Sequence, residues 1–138
     1  GMLIASRGRT VIEDCYFHTS GAAVLFEANG EYWFESGGTR DVTIRGCRFD
    51  ACRHGRWGNA VIECARRKAT EEGRYFHRSI RVLDNTFRMA DGGAPAAIFD
   101  NIESLCFRGN TLIAAPDGTP ARVLLSHIGQ ADIQPDAE

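Results

Sequence analysis

An eight-residue pattern, apolar-x-apolar-x-x-(Cys or Asn)-x-Phe, recurs along this chain as TVIEDCYF (10–17), VTIRGCRF (42–49), IRVLDNTF (80–87) and, with Leu closing the last copy, LCFRGNTL (105–112). The anchors Phe17, Phe49, Phe87 and Leu112 are separated by 32, 38 and 25 residues, so the unit recurs while the connections between units vary in length. Such variation excludes a helical-hairpin solenoid, whose repeat length is fixed by the helices themselves. Each copy is followed by a second short run rich in strand-forming residues: AAVLFEA (22–28), NAVIECA (59–65), AAIFDN (96–101) and ARVLLSH (121–127). Gly, Pro or Asn borders these runs, as expected for short strands closed by turns.

A strand, a bend, a short strand, a loop and a further strand, repeated four times, specify a right-handed parallel β-helix of about four coils, all-β and single-stranded in path. Like positions of successive coils then superpose about 4.8 Å apart. Thr10, Val42, Ile80 and Leu105 form one inward column, Ile12, Ile44, Val82 and Phe107 a second, and Phe17, Phe49, Phe87 and Leu112 a third. Burying each Phe contributes on the order of 1.5–3 kcal/mol, which makes these columns the main core. The bend carries Cys15, Cys47, Asn85 and Asn110 in register. Asn can bond along the ladder and to bend carbonyls there, and Cys fills the same volume. The rival architecture is an antiparallel sandwich, for which Asp91-Gly92 and Asp117-Gly118 would supply hairpin turns.

Composition agrees with one domain over 1–138, with Gly1 read as a tag-cleavage remnant before Met2 and 129–138 as an irregular tail. At this length a domain buries roughly 68% of its unfolded surface. The 15 glycines exceed the usual share of about 7% and favour turns over long helices. A net charge of −2 offers no global basic field for nucleic acid or anionic lipid. No apolar run reaches the roughly 18 residues of a membrane span, and no signal peptide is recognisable in this stretch. Five cysteines, Cys15, Cys47, Cys52, Cys64 and Cys106, form no C-x-x-C pair and have no His at zinc-ligand spacing, so they read as free thiols with no metal site, the alternatives being a disulfide scaffold or a zinc site.

Three places could hold a ligand. The insertion NGEYWFESGGTR (29–40) sets Tyr32, Trp33 and Phe34 between Glu31 and Glu35, an aromatic platform beside carboxylates that suits a sugar's apolar face and its hydroxyls, or else a cover for the solenoid flank. Aligning Ala60-Val61-Ile62-Glu63 with Ala97-Ile98-Phe99-Asp100 stacks Glu63 and Asp100 at one position of adjacent coils, with Cα atoms about 4.8 Å apart. Two carboxylates so close would raise one pKa and could serve as acid and base in glycoside hydrolysis, or form an ordinary solvated column. The run RRKATEEGRYFHRS (66–79) has six basic or His positions in fourteen, a candidate anion site or a solvated loop. No nucleophile elbow, phosphate-binding loop, dinucleotide fingerprint or H-E-x-x-H occurs, and no cofactor is implied. Asp91 sits where polygalacturonase-like β-helices carry an Asp-Asp pair, but Gly92 takes the second position.

The run from RGRTVIEDCYF through GEYWFESGGTRDVTIRGCRF, followed by WGNAVIECA and YFHRSIRVLDNTF, resembles the distal β-helix coils of bacterial α-1,3-galactosidases, of the pectin-lyase-like superfamily. The likeness covers about residues 3–112, and its most specific part is W-F-E-S-G followed by D-V-T-I-R. It implies inverting exo-enzymes releasing galactose from α-1,3-linked glycans, hence a galactose-containing glycan as partner and a secreted or cell-surface setting for a larger glycosidase. It also implies that the family's paired acidic residues lie in coils upstream of this match, so that Trp33, Glu35 and Glu63 are what carries over, as groove or loop residues. The expected function is therefore a carbohydrate-active module, part of a glycoside hydrolase that acts on or binds α-galactosides, with Glu63 and Asp100 as catalytic candidates and Trp33 and Glu35 as ligand-binding ones. The alternative is a non-catalytic assembly module that forms homo-oligomers through its open ends.

Overall fold

The computed structural model describes residues 2–4, 8–26, 39–52, 59–64, 75 and 77–134. Among these the chain is all-β, in twelve strands with no helix: β1 (Met2–Ile4), β2 (Arg9–Glu13), β3 (Tyr16–Phe17), β4 (Val24–Phe26), β5 (Asp41–Arg45), β6 (Arg48–Asp50), β7 (Ile62–Cys64), β8 (His77–Leu83), β9 (Thr86–Arg88), β10 (Ala97–Arg108), β11 (Thr111–Ile113) and β12 (Val123–Ile133). Every pairing among them is parallel, which rules out the sandwich. The strands sort into three walls. The first is β2, β5, β8 and the C-terminal halves of β10 and β12; the second is β3, β6, β9 and β11; the third is β1, β4, β7 and the N-terminal halves of β10 and β12. The chain visits them in that order and repeats, so each strand pairs with its equivalent one coil away, a solenoid arrangement.

The expected columns are present in the expected register. Thr10 pairs with Val42, Val42 with Ile80 and Ile80 with Leu105, while Ile12, Ile44, Val82 and Phe107 follow two residues on. Phe17, Phe49, Phe87 and Leu112 align on the second wall. The rings of Phe17 and Phe49 stack with centroids 5.0 Å apart and planes 8° from parallel, and Phe49 and Phe87 stack at 4.7 Å and 14°. Such pairs add about 0.5–1.5 kcal/mol each beyond the area they bury. Phe107 meets Phe87 from the first wall at 6.1 Å and ties the two walls across the core.

The bend between the first two walls explains the Cys-or-Asn position of the repeat. The preceding residue, Asp14, Gly46, Asp84 or Gly109, has φ of 55°, 62°, 56° or 68°, the left-handed region that Gly and Asp tolerate best. Asp and Gly alternate because the space is shared: a Cβ on Gly46 would lie 2.6 Å from Asp14 Oδ1, and one on Gly109 would lie 2.1 Å from Asp84 Oδ1. Asn85 Oδ1 accepts from the Cys47 N–H at 2.9 Å while its Nδ2 donates to the Ile44 carbonyl at 3.0 Å. Asn110 repeats this one coil on, accepting from the Asn85 N–H at 2.9 Å and donating to Val82 O at 2.8 Å. Cys47 imitates the donor half alone, with Sγ 3.6 Å from Ile12 O.

The turns that the rival sandwich would need are excluded, and one expectation is revised. Asp91-Gly92 and Asp117-Gly118 are not hairpin turns but turns between the second and third walls, where Asp91 Oδ1 accepts from Gly93 N at 2.8 Å and Asp117 Oδ1 from Thr119 N at 2.9 Å. The tail expected to be irregular from 129 is strand as far as Ile133, because Gln130, Ala131, Asp132 and Ile133 pair with Ser104, Leu105, Cys106 and Phe107 and so extend the first wall by one rung.

Removing the amide in Asn85→Ala leaves the buried Cys47 N–H and Ile44 carbonyl without their partner and should cost about 3 kcal/mol. Cys47→Asn, which completes the amide ladder toward Cys15, should gain about 1 kcal/mol. Urea unfolding midpoints at constant m-value report both.

Candidate functional site

The site is built around the corner where the third wall runs into the first. In the last two coils the chain turns there within a single strand, at Asn101 (φ 67°) in β10 and His127 (φ 51°) in β12. In the two coils before, the connection is long: 12 residues lie between Phe26 and Thr39, and 12 between Cys64 and His77. Both insertions therefore leave the third wall and rejoin the first at one corner. Trp33 and Glu35 fall in the first of them and lie outside the described residues, as does most of the basic run at 66–79, of which Tyr75 and residues 77–79 are described.

His77 seats the corner. Its ring is 1% exposed, lies edge-on to Phe26 at 5.6 Å, and accepts at Nδ1 from the Thr39 N–H at 3.1 Å, with Thr39 Oγ1 2.9 Å away. Burial holds the imidazole pKa down at about 4. Sequence reasoning missed this residue, counting it only as part of a basic run. No alternation marks it, since it lies three residues before Ile80 and so out of phase with the buried Ile80 and Val82 of the same strand.

Glu63 and Asp100 do not stack as expected. Glu63 pairs with Ile98, and Asp100 with Ser126, so the two carboxylates are offset by two residues along the wall. With a coil spacing of about 4.8 Å and a rise of about 3.3 Å per residue, their Cα atoms are roughly 8 Å apart rather than one rung. Packing volume accounts for the register: Ile62 faces Ala97 and Cys64 faces Phe99, so a large and a small side chain alternate in both inward columns. Both carboxylates still belong to the outward set of their strands, because inward Ile62, Cys64, Ala97 and Phe99 alternate with them. Glu63 is 8% exposed and is held by Asn59, whose N–H reaches Oε1 at 2.6 Å and whose Nδ2 reaches Oε2 at 3.4 Å. That grip fixes the carboxylate from one side, toward the turn that begins β7.

Just past the corner, the outer surface of the first wall holds an open groove of about 400 Å³ lined by Arg78, Ser79, Glu103, Ser104, Gly129 and Gln130. Its floor is a ladder, since Ser79 pairs with Ser104 and Ser104 with Gln130. Arg78 and Glu103, neighbours on adjacent strands one position before Ser79 and Ser104, meet at 3.8 Å. At Gly129 an added Cβ would lie 2.5 Å from Glu103 O and 3.1 and 3.2 Å from Cζ and Oη of Tyr75. Tyr75 itself stacks on His127 with centroids 4.8 Å apart, and its phenol end lies beside Gly129, one of the lining residues. Beyond the groove the same surface is charge-paired, with Arg81 bonded to Asp41 at 2.8 Å and Arg45 to Glu13 at 2.7 Å. No sequence motif marked this groove; only the rung pairing of Ser79, Ser104 and Gln130 brings its floor together.

Among the described residues no three His, Cys, Asp or Glu side chains are grouped to hold a metal ion. The five cysteines are free thiols, and burial pushes the Cys64 thiol up to about 12, which keeps it protonated at neutral pH.

No protein-family model matches the chain. In sequence it is similar to the α-1,3-galactosidase B of Bacteroides thetaiotaomicron, 36% identical over 117 residues that make up 82% of this chain and 19% of the relative. It is similar to the α-1,3-galactosidase A of Bacteroides fragilis, 38% identical over 116 residues, again 82% of this chain and 19% of the relative. The α-1,3-galactosidase A of Akkermansia muciniphila is 35% identical over 95 residues, 68% of this chain and 15% of that protein. The chain thus spans about one fifth of the length of the first two relatives.

Because His77 is held neutral in the fold, stability is complete above the unfolded pKa of 6.5 and is lost as pH falls toward about 4, where the folded form titrates. Between pH 7.5 and pH 5 the unfolded chain takes up the proton and the folded chain does not, a loss of about 2 kcal/mol. Urea titrations at the two pH values should show this difference, and His77→Leu should remove most of it.

Proposed function

We propose that this chain is a galactoside-recognising module of α-1,3-galactosidase type, a single domain wound as a right-handed parallel β-helix of the pectin-lyase kind. The observation that carries the reading is the 36–38% identity to one region of α-1,3-galactosidases over 82% of the chain. The hand is supported by the steric rule that parallel crossover connections are right-handed. The ligand would be a galactose-containing glycan held where the two insertions meet the corner, with Trp33 packing on the apolar face of the sugar and Glu35 accepting from its hydroxyls.

In the hydrolytic form of this reading, Glu63 and Asp100 serve as the acid and base of an inverting reaction. One carboxylic acid protonates the glycosidic oxygen as its bond to the anomeric carbon breaks, and the other carboxylate takes a proton from the water that attacks that carbon from the opposite side. Inverting pairs stand about 6.5–9.5 Å apart to admit the water, and the two-residue offset along the wall suits that spacing better than a same-rung pair would.

A second reading, assembly through the ends of the stack, draws on the first coil. There Leu3 is 60% and Tyr16 61% exposed, and β1, β2 and β3 each have one ladder edge open among the described strands.

Calorimetric titration with an α-1,3-linked galactobioside should show binding that Trp33→Ala weakens by about tenfold, near the 1.4 kcal/mol of one aromatic contact. Release of galactose, if it occurs, should vanish in both Glu63→Gln and Asp100→Asn while circular dichroism stays unchanged. A wild-type chain that binds no galactoside, and whose mass by light scattering grows with concentration until Leu3→Lys stops it, would replace this reading with the assembly one.

A further inference from the structure

We infer that the groove beside Tyr75 is a subsite for a neutral hexose unit, with Ser79, Ser104 and Gln130 reading its hydroxyls; this rests on the glycan-binding reading above. The floor offers two hydroxyls and one primary amide on successive rungs about 4.8 Å apart. Each of these groups can both donate and accept, which is what a sugar hydroxyl requires of its partner. The volume of about 400 Å³ is in the range of small-molecule sites.

Charge selects the ligand class. Arg78 and Glu103 face each other at 3.8 Å, so a phosphate or uronate brought to Arg78 meets the Glu103 carboxylate, and a cation brought to Glu103 meets the guanidinium. Their side chains are 67% and 53% exposed, and a pair so long and so wet contributes little to stability. Either group can therefore turn to a neutral hydroxyl at small cost, one as donor and the other as acceptor. Tyr75 adds the apolar surface on which a pyranose face rests, and His127 beneath it holds the ring in place.

Gly129 is the specificity-determining residue of this arrangement. A methyl group there would run into the Glu103 carbonyl and the phenol of Tyr75, so the bare backbone lets the phenol approach the edge of the groove. The constraint is space, since Gly129 is not among the left-handed residues of the chain.

The test uses the whole chain, titrated by calorimetry and two-dimensional amide NMR with methyl α-galactoside, methyl α-glucoside, galacturonate and inorganic phosphate. Binding of a neutral glycoside is expected, with amide shifts centred on 79, 104, 129 and 130. Gln130→Ala and Tyr75→Ala should each weaken it by about tenfold, the equivalent of one polar or stacking contact, and Gly129→Ala should weaken it likewise. Tyr75→Phe should bind nearly as wild type. If the chain binds a galactoside and Gln130→Ala and Tyr75→Ala bind it unchanged, the sugar sits elsewhere: the subsite is overturned and the glycan-binding reading survives. If a neutral sugar other than a galactoside binds and those variants lose it, the subsite stands and the galactoside reading falls. Preference for galacturonate or phosphate, or no binding of any neutral sugar, overturns the subsite.

Discussion

Rung-to-rung stacking of like residues is the constraint on which the rest of this structure depends. A parallel ladder places each side chain over its equivalent about 4.8 Å away, so a column is favourable only if its members attract one another or share volume. Phe17, Phe49 and Phe87 meet this by lying nearly parallel, ring on ring. Asn85 and Asn110 meet it by passing one amide bond upward and another to a carbonyl at every step. The Asp-Gly alternation before the bend meets it by letting one side chain use the space its neighbour lacks. These are three solutions to one problem, and together they turn four imperfect repeats into a continuous core.

The same constraint decides where chemistry can sit. The walls are committed to their ladders, and the two 12-residue connections, 27–38 and 65–76, both fall at the corner between the third wall and the first. Asn101 and His127 show that the corner can be made by a single left-handed residue. The insertions of the earlier coils are therefore additions to the wall rather than requirements of it, which is the usual relation between a scaffold and the loops that carry function. The corner is also where a buried neutral imidazole, a carboxylate gripped by Asn59 and an aromatic stack on His127 come within a few residues of one another in the coil path.

Much of this architecture is legible in the amino-acid sequence. The columns of the first two walls follow from aligning four copies of one pattern, because the bend residue and the following Phe anchor the register on both sides. The third wall is less legible. Ala-Val-Ile-Glu and Ala-Ile-Phe-Asp look alike as strings, yet the ladder slips them by two residues, pairing Ile62 with Ala97 and Cys64 with Phe99. A slip of two keeps every side chain on its proper face, so alternation alone cannot detect it; only the fit of large against small decides it. Alternation thus puts Glu63 and Asp100 correctly on the outward face and wrongly on the same rung.

The sequence by itself determined the class of fold, the inward columns and the Asn-type bend, since each rests on local alternation and on self-similarity that a linear chain displays. Tertiary structure alone decided the register of the third wall, the burial of His77 and the groove floored by Ser79, Ser104 and Gln130. The physical reason is the same for all three. They depend on which residues meet across coils, at separations of about 25 to 40 residues set by connections of unequal length, and such meetings leave no periodic mark on the chain.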